Sequence, residues 1–531
     1  MTRDSCEVPL KTSSVRDAVT GLLRELGMTT IFGNPGSTEL PLFKNFPADF
    51  RYVLGLQEAV VVGMADGFAQ ATGNAAFVNL HSAAGVGHAM GNIFTAYRYR
   101  TPLVITAGQQ ARSILPYEAF LSATDATTLP QPYVKWSCEP ARGEDVPAAI
   151  ARAYDVAMQQ PCGPTFVSIP VDDWERSSEL VPSRTVSRRR FPDPSFIDAI
   201  AARLNRSQRP VFVVGPGVDR NGAWDQVVAL AERHQALVWV SPMSPRCSFP
   251  ERHRLFAGFL PAIREKIVER LDGHDLVFAL GAPVFTYHIE GFGPHVPPGA
   301  ELLQMVDDPD VAARTPGGLA VVCDVGLGAE ALLQCPAPPS RPAPRGRCAP
   351  PRVEPGESIS NAFLMQTLAE VRPPDSILVE ESPSTRSTMQ TYLPIERPNS
   401  FYTCASGGLG HSLPAGVGVA LARSAERRVI GLFGDGSSMY SIQALWSAAD
   451  LKLPMTIIIV NNGGYAALSE FLSHFDLKEP IGTEVRGIDF AGLARSLGCA
   501  GVRVEKPGEL ATTLRDALQS SVPILVDVAV G

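Results

Sequence analysis

The sequence predicts three doubly wound α/β domains, each built on a parallel sheet. Short apolar runs that read as buried strands alternate with longer stretches of helical periodicity, the pattern of strand–helix–strand crossovers. Two polar, proline-bearing stretches cut this alternation into three parts. At 531 residues the chain is also too long for one core, and a prior of about 150 residues per domain suggests about three.

The first part, residues 12–180, carries strands at 29–32, 52–56, 77–80, 102–106 and 165–169. A polar stretch at 172–195, interrupted by Pro182, Pro192 and Pro194, closes it. Within that stretch Arg188, Arg189 and Arg190 read as a solvated linker. The second part, residues 195–335, has strands at 211–214, 237–240 and 276–280. Gly215-Pro216-Gly217 after the first of these invites a dinucleotide reading, but the third glycine of that motif is missing, so no bound nucleotide is expected there. Residues 335–357 hold eight prolines, too many for helix or central strand. The third part, residues 357–531, has strands at 377–379, 429–433, 455–460 and 524–526.

Charged residues make up 19% of the chain and hydrophobic ones 45%. The charged share lies below the roughly 25% of soluble proteins, so much surface is expected to be buried, subunit interfaces included. A net charge of −8 offers no electrostatic footprint for nucleic acid or an anionic membrane. Nine scattered cysteines without a CxxC pair read as reduced thiols rather than a disulfide or metal framework. The N-terminus lacks the apolar core of a signal peptide, and no run of 18 apolar residues occurs. A soluble, cytoplasmic protein is expected.

The most specific signal lies in the third part. Gly434-Asp435-Gly436 is followed, 24 residues later, by Asn461-Asn462. Apolar runs lead into both, so two neighbouring strands end with an Asp and an Asn at the edge where open α/β sheets bind ligands. Met439, Ile442, Trp446 and Ala449 recur at helical spacing. A helix opening after Gly436 offers free N–H groups and a positive dipole end to a phosphate. An Asp carboxylate, an Asn carbonyl, a loop carbonyl and phosphate oxygens are the hard ligands Mg²⁺ prefers. The segment reads as the seat of a magnesium-bridged diphosphate.

Three polar residues of the first part also follow apolar strands. Ser37 comes after Gly33-Asn34-Pro35-Gly36, Glu58 opens a stretch of small residues, and His81 precedes Ser82-Ala83-Ala84-Gly85. Each has a plain structural role open to it: a helix cap for Ser37, a dipole partner for Glu58, a hydrogen-bonded core histidine for His81. Their common sheet edge, in a chain with a cofactor motif elsewhere, favours a site.

The spacing from GDG to the paired asparagines resembles the signature of thiamine diphosphate (ThDP) enzymes. The stretches FGNPGSTELPLF, VNLHSAAGVGHAMG, PLVITAGQQAR, APVFTYH, CASGGLGHSLPAGVG and GDGSSMYSIQALW extend the resemblance over nearly the whole chain. It is to the benzoylformate decarboxylases, within the pyruvate-decarboxylase-like group. The resemblance implies an N-terminal pyrimidine-binding domain, a middle domain and a C-terminal diphosphate-binding domain. It implies ThDP bound through Mg²⁺, with Ca²⁺ as an alternative ion. It also implies a homodimer whose chains share each active site, commonly paired into a homotetramer. The implied reaction is non-oxidative decarboxylation of an aromatic or bulky apolar 2-keto acid to the aldehyde and CO₂, with the cofactor as electron sink.

Residue by residue, Glu58 matches the glutamate that activates the pyrimidine, since a carboxyl in an apolar pocket can share a proton with a ring nitrogen. Ser37 matches a substrate-binding serine, and His81 and His288 match proton-transfer histidines. Asp435 and Asn462 match metal ligands, with Gly464 supplying a backbone carbonyl. Ser437 and Tyr440, beside Gly434 and Gly436, match diphosphate contacts, as does Ser384. The Gly407 carbonyl would hold the pyrimidine amine, and Leu409 would sit beneath the thiazolium. Phe120, Leu121, Ala467 and Phe471 supply an apolar wall for the substrate.

Three departures bear on the substrate and the cofactor. Pro383 replaces a threonine that touches the diphosphate, removing a hydroxyl and an N–H. Thr403 replaces an aromatic of the substrate pocket, which makes room and adds a hydroxyl. Gly464-Tyr465-Ala466 stands where the family has Thr-Tyr-Gly. A large, mostly apolar 2-keto acid is still expected, ring-hydroxylated or branched forms included. The competing readings are a carboligase joining or cleaving 2-hydroxy ketones, and a ThDP-binding homologue without activity. Retention of Glu58, Asp435 and Asn462 speaks against the latter, and the absence of a His-His pair against the pyruvate and indolepyruvate decarboxylases.

Overall fold

The structure is a computed structural model and describes residues 12–472, 475, 477–479 and 481–531. The expectation drawn from residues 1–11 lies outside the described residues, as does the side chain of Phe471.

Three six-stranded sheets, each parallel throughout, form the framework. The first runs Arg51–Leu54, Thr30–Gly33, Ala76–Leu80, Leu103–Gln109, Thr165–Pro170, Ser137–Cys138. The second runs Phe256–Phe259, Leu237–Val240, Pro210–Val214, Leu276–Leu280, Glu301–Val306, Leu319–Val322. The third runs Phe401–Thr403, Ile377–Glu381, Val429–Gly434, Met455–Asn461, Ile524–Ala529, Ala500–Val504. Central strands such as Leu276–Leu280 are buried along their whole length, which is why they read as unbroken apolar runs.

The first and third domains share one core. Val60, Val61, Met64 and Val78 of the first belong to the same buried cluster as Val379, Leu413, Val417 and Phe433 of the third. Helix Glu58–Thr72 lies against helix Ser412–Arg423 through glycines. A Cβ on Gly67 would overlap the Ala415 carbonyl, and one on Gly418 the Met64 carbonyl. At this seam His411 Nε2 meets Asp66 Oδ2 at 2.6 Å, and neither side chain is more than 2% exposed. Replacing Asp66 with Ala strands a buried histidine whose Nδ1 has no partner among the described residues either. A loss of about 3 kcal/mol is expected, to be measured by urea denaturation of the variant beside the parent.

The linkers are more tightly held than their polarity suggests. Ser177–Glu179 pairs antiparallel with Thr12–Ser14. Arg188 pairs with Asp155 at 2.8 Å and Arg189 with Asp324 at 2.9 Å. These arginines are therefore not simply a solvated linker; two carboxylates, one on the first domain and one on the middle domain, draw them in. In the proline-rich linker, Arg341 donates to the carbonyls of Ser207 (3.0 Å) and His234 (3.1 Å). The middle-domain glycines serve packing at the start of helix Pro216–Arg220: Gly217 N donates to Gly281 O at 2.9 Å, and a Cβ on Gly217 would lie 2.7 Å from Gly281 Cα.

Half-buried Glu251, where the middle and third domains meet, accepts the Ile395 N–H at 2.9 Å. Loss of solvation pushes its carboxyl up to about 8. A folded-state value above the unfolded one means the native chain keeps a proton that the unfolded chain has already lost. The stability this carries is complete below the unfolded value of about 4.3 and is lost as pH rises through 8. Glu251→Gln, which keeps an acceptor and cannot ionise, is expected to gain in Tm over the parent at pH 8.5 relative to pH 5. Thermal melts at the two pH values check this.

Candidate active site

Strands Val429–Gly434 and Met455–Asn461 pair in register, with Gly434 opposite Val460. Asp435 and the two asparagines therefore leave the sheet side by side. Asp435 is only 1% exposed. Its Oδ2 accepts the N–H groups of Gly463 (2.7 Å) and Gly464 (2.9 Å), and its Oδ1 that of Gly436 (2.6 Å). Burial pushes its carboxyl above the ordinary range, and these N–H donors oppose the shift. Asn462, exposed beside it, accepts the Gly464 N–H at 3.3 Å. Gly464 has φ +157°, and a Cβ on Gly436 would lie 2.5 Å from the Tyr465 ring.

A buried carboxylate answered only by backbone dipoles suits a cation, which would offset its desolvation. Among the described residues no three His, Cys, Asp or Glu side chains converge. A metal here would thus take one carboxylate, one amide, a backbone carbonyl and phosphate oxygens, the donor set a diphosphate-bridging ion requires.

The helix expected across 439–449 is two short ones, Asp435–Ser438 and Ala444–Asp450. Ser438 Oγ donates to the Asp435 carbonyl at 2.8 Å, and beyond it the N–H groups of Tyr440 and Ser441 reach back only three residues, to the carbonyls of Ser437 and Ser438 (3.3 Å each). Ser437 Oγ donates to the Glu381 carbonyl at 2.6 Å, so its backbone N–H is the donor left for a phosphate. Tyr440 is exposed beside Gly410. Ser384 is half-buried in the turn Pro383–Thr385, with Pro383 on the surface.

Residues 405–410 form the neighbouring loop, with Gly407 exposed at φ +75° and Leu409 half-buried. Buried Glu381 holds its far end, accepting the N–H groups of Gly410 (2.6 Å), His411 (3.0 Å) and Ser412 (2.7 Å). Thr403, just before this loop, requires a correction. It is 1% exposed; its hydroxyl donates to Glu380 at 2.8 Å and accepts from Arg386 at 2.5 Å. The hydroxyl expected in the substrate pocket is spent on the ion pair between Glu380, on the neighbouring strand, and Arg386, at the start of helix Arg386–Tyr392.

At the first sheet's edge, Glu58 opens its helix above Val60, Val61 and Val62, all fully buried. His81 precedes helix Ser82–Tyr99, and Ser82 takes φ +45°, a conformation that costs about 1–3 kcal/mol in a non-glycine residue. His81 Nδ1 lies 2.8 Å from Glu39 Oε2. Glu39, missed by the sequence reading, is a buried hub that also accepts Gly36 N (2.8 Å), Gly108 N (3.0 Å) and the Thr38 hydroxyl (2.6 Å). An ionised carboxylate only accepts, so Nδ1 carries the hydrogen and Nε2 is the acceptor face of His81.

Ser37 is exposed in the turn above this hub and caps no helix; the short 3₁₀ turn Leu40–Phe43 begins after Glu39. His288 is exposed in a middle-domain loop and donates its N–H to Ala262 O at 2.9 Å. Phe120 is 87% exposed, Leu121 follows at φ +67°, and Ala467 is half-buried in helix Ala466–Leu472. The predicted residues thus gather in two main groups, one around Glu58 and His81, the other around Asp435.

The family models for thiamine pyrophosphate enzymes match in chain order. The N-terminal TPP binding domain covers residues 13–129, the central domain 197–332 and the C-terminal TPP binding domain 384–528. The chain belongs to the thiamine pyrophosphate, or ThDP, enzyme family. Benzoylformate decarboxylase of Pseudomonas aeruginosa is 45% identical to it over 520 residues, 97% of this chain and 98% of the relative. The solved thiamine diphosphate-dependent 4-hydroxybenzoylformate decarboxylase of Rhodococcus jostii RHA1 is 42% identical, with a TM-score of 0.94 over 98% of this chain and 99% of that one. Benzoylformate decarboxylase from Polynucleobacter necessarius, also solved, is 39% identical with a TM-score of 0.94, covering 97% and 98%.

Proposed function

We propose that this chain is a ThDP-dependent carboxy-lyase that converts an aromatic 2-keto acid to its aldehyde and CO₂. The observation that carries the reading is His81, fixed by Glu39 at the same sheet edge as Glu58. Loss of CO₂ must be followed by delivery of a proton to carbon, and a histidine of set tautomer beside the activating carboxyl suits that task. The similarity to decarboxylases of benzoylformate and 4-hydroxybenzoylformate supports the aromatic substrate.

Bound ThDP supplies the nucleophilic carbon and the electron sink. Glu58 would share a proton with its pyrimidine. Asp435, Asn462 and the Gly464 carbonyl would hold Mg²⁺, or Ca²⁺ in its place. Ser437, Tyr440 and Ser384 would meet the diphosphate, and Gly407 and Leu409 the two rings. Ser37 and His288 would face the substrate, against a wall of Phe120, Leu121, Ala467 and Phe471. Domain limits at 12–180, 195–335 and 357–531, and a cytoplasmic setting, belong to the same proposal.

Exposed Tyr117, Phe120 and Leu468 are apolar surface of the kind subunits cover. They support a homodimer with shared sites, paired into a tetramer. Among the described residues no helix is long and apolar enough to cross a membrane.

CO₂ release from a panel of 2-keto acids, with ThDP and Mg²⁺ present, tests the reading. Arylglyoxylates are expected to exceed pyruvate by about 100-fold in kcat/KM, the discrimination an apolar pocket achieves. If adding acetaldehyde turns an acyloin into the dominant product, the chain is a carboligase instead.

A further inference from the structure

Helix Ser82–Tyr99 brings more than His81 to the site. One turn in, Gly85 passes so close to helix Glu58–Thr72 that a Cβ there would lie 3.2 Å from Glu58 Oε1. One further turn along the same face, His88 Nδ1 lies 3.1 Å from Glu58 Oε2. Asn92, the next on that face, donates to the Ala59 carbonyl at 2.6 Å. The spacing 85, 88, 92 is that of a single helical stripe. It gives Glu58 room at one oxygen, a ring nitrogen at the other, and a fixed backbone behind. The Glu58 side chain is 12% exposed, while that of His88 is 62% exposed, so the imidazole lies on the solvent side of the carboxyl.

We propose that His88 is a positioning residue for Glu58. Its Nδ1–H donates to Oε2 and fixes the carboxyl rotamer, so that Oε1, above the gap left by Gly85, is the oxygen turned to the cofactor's pyrimidine nitrogen. A glutamate side chain has three rotatable bonds, and an unanchored carboxyl at a helix start is free to turn toward the helix N–H groups. The inference rests on the role given to Glu58 under the proposed function. Oε1 and Oε2 become inequivalent: one is held by the protein and the other is left for the ligand.

The test compares His88→Leu, His88→Asn and Glu58→Gln in the full-length protein. Two quantities are read: ThDP affinity, by tryptophan fluorescence titration with Mg²⁺, and the rate at which bound ThDP exchanges its thiazolium C2 hydrogen for deuterium, by quenched-flow NMR. Asparagine Nδ2 can donate from nearly the place of histidine Nδ1; leucine cannot. His88→Leu is expected to slow exchange by about 10- to 100-fold, the worth of one hydrogen bond to a charged group, with ThDP affinity within about threefold of the parent. His88→Asn is expected to restore exchange to within about threefold.

Exchange at the parental rate in His88→Leu overturns the proposal. So does an asparagine variant as slow as the leucine one, or a leucine variant whose affinity falls as far as its exchange rate, since either marks a general packing role. Glu58→Gln separates this from the parent reading: if it exchanges as fast as the parent, the role of Glu58 itself falls.

Discussion

Replacing Glu58 with Gln is expected to lower kcat by about 10²- to 10⁴-fold, the usual worth of a positioned acid or base, while ThDP still binds. Glutamine keeps the size of the side chain and an oxygen to accept from His88. It cannot share a proton with a ring nitrogen, because an amide neither gains nor loses one near neutral pH. The surroundings make this loss selective. Val60, Val61 and Val62 are fully buried below the carboxyl, and the helix is capped independently by Gln57, whose Oε1 accepts the Ala59 N–H at 2.6 Å. Turnover on an arylglyoxylate, set beside the ThDP-induced rise in Tm, makes the measurement. Activity within tenfold of the parent would refute the assigned role.

Asp435→Asn is expected to weaken ThDP binding in the presence of Mg²⁺ by about 100-fold or more, through loss of charge at the metal seat. The amide can still accept at one oxygen, so part of the Gly463–Gly464 turn survives. It also places an NH₂ group where either Gly436 N or the paired glycine N–H groups now donate, and two donors facing each other open the turn. Ligand binding raises Tm in proportion to RT ln(1 + [L]/Kd). At one ThDP concentration the parent should therefore show a rise that the variant lacks. An equal rise in both proteins would remove Asp435 from the metal seat.

How much of this was legible in the sequence follows from where each residue finds its partners. Asp435 and the asparagines announce themselves because their strands are buried on both faces and adjacent, so a local spacing translates directly into a place. The strand Leu237–Val240 matches its apolar run residue for residue. Edge strands such as Ser137–Cys138 and Ala500–Val504 escaped notice, being short or polar on one face. Glu301–Val306 was hidden by Gln304, a buried polar residue satisfied by the Ala282 carbonyl at 3.0 Å and the Thr315 hydroxyl at 2.8 Å.

Glu39 could not be read from sequence as a hub, since its partners come from residues 36, 38, 81 and 108. The same holds for Thr403: a threonine in place of a ring looks like an open hydroxyl until Glu380 and Arg386 close around it. Periodicity misled once. The apolar spacing at 439–449 is real, but the N–H groups of Tyr440, Ser441, Ala444, Leu445 and Trp446 reach back three residues, so the segment turns tightly instead of running as one continuous α-helix.

The glycine seam between helices Glu58–Thr72 and Ser412–Arg423 has a mechanical consequence. At Gly67 and Gly418 backbone meets backbone, which leaves little room for sliding there, and the His411–Asp66 bond crosses the same seam. The first and third domains of a chain therefore travel as one stiff piece. Whatever opens and shuts around a substrate must be looked for elsewhere, in the exposed 3₁₀ turn Leu115–Tyr117 with its neighbour Phe120, or in the middle-domain loop that carries His288. In such a molecule the cofactor's framework serves as the anvil, and motion belongs to the surfaces that meet the substrate.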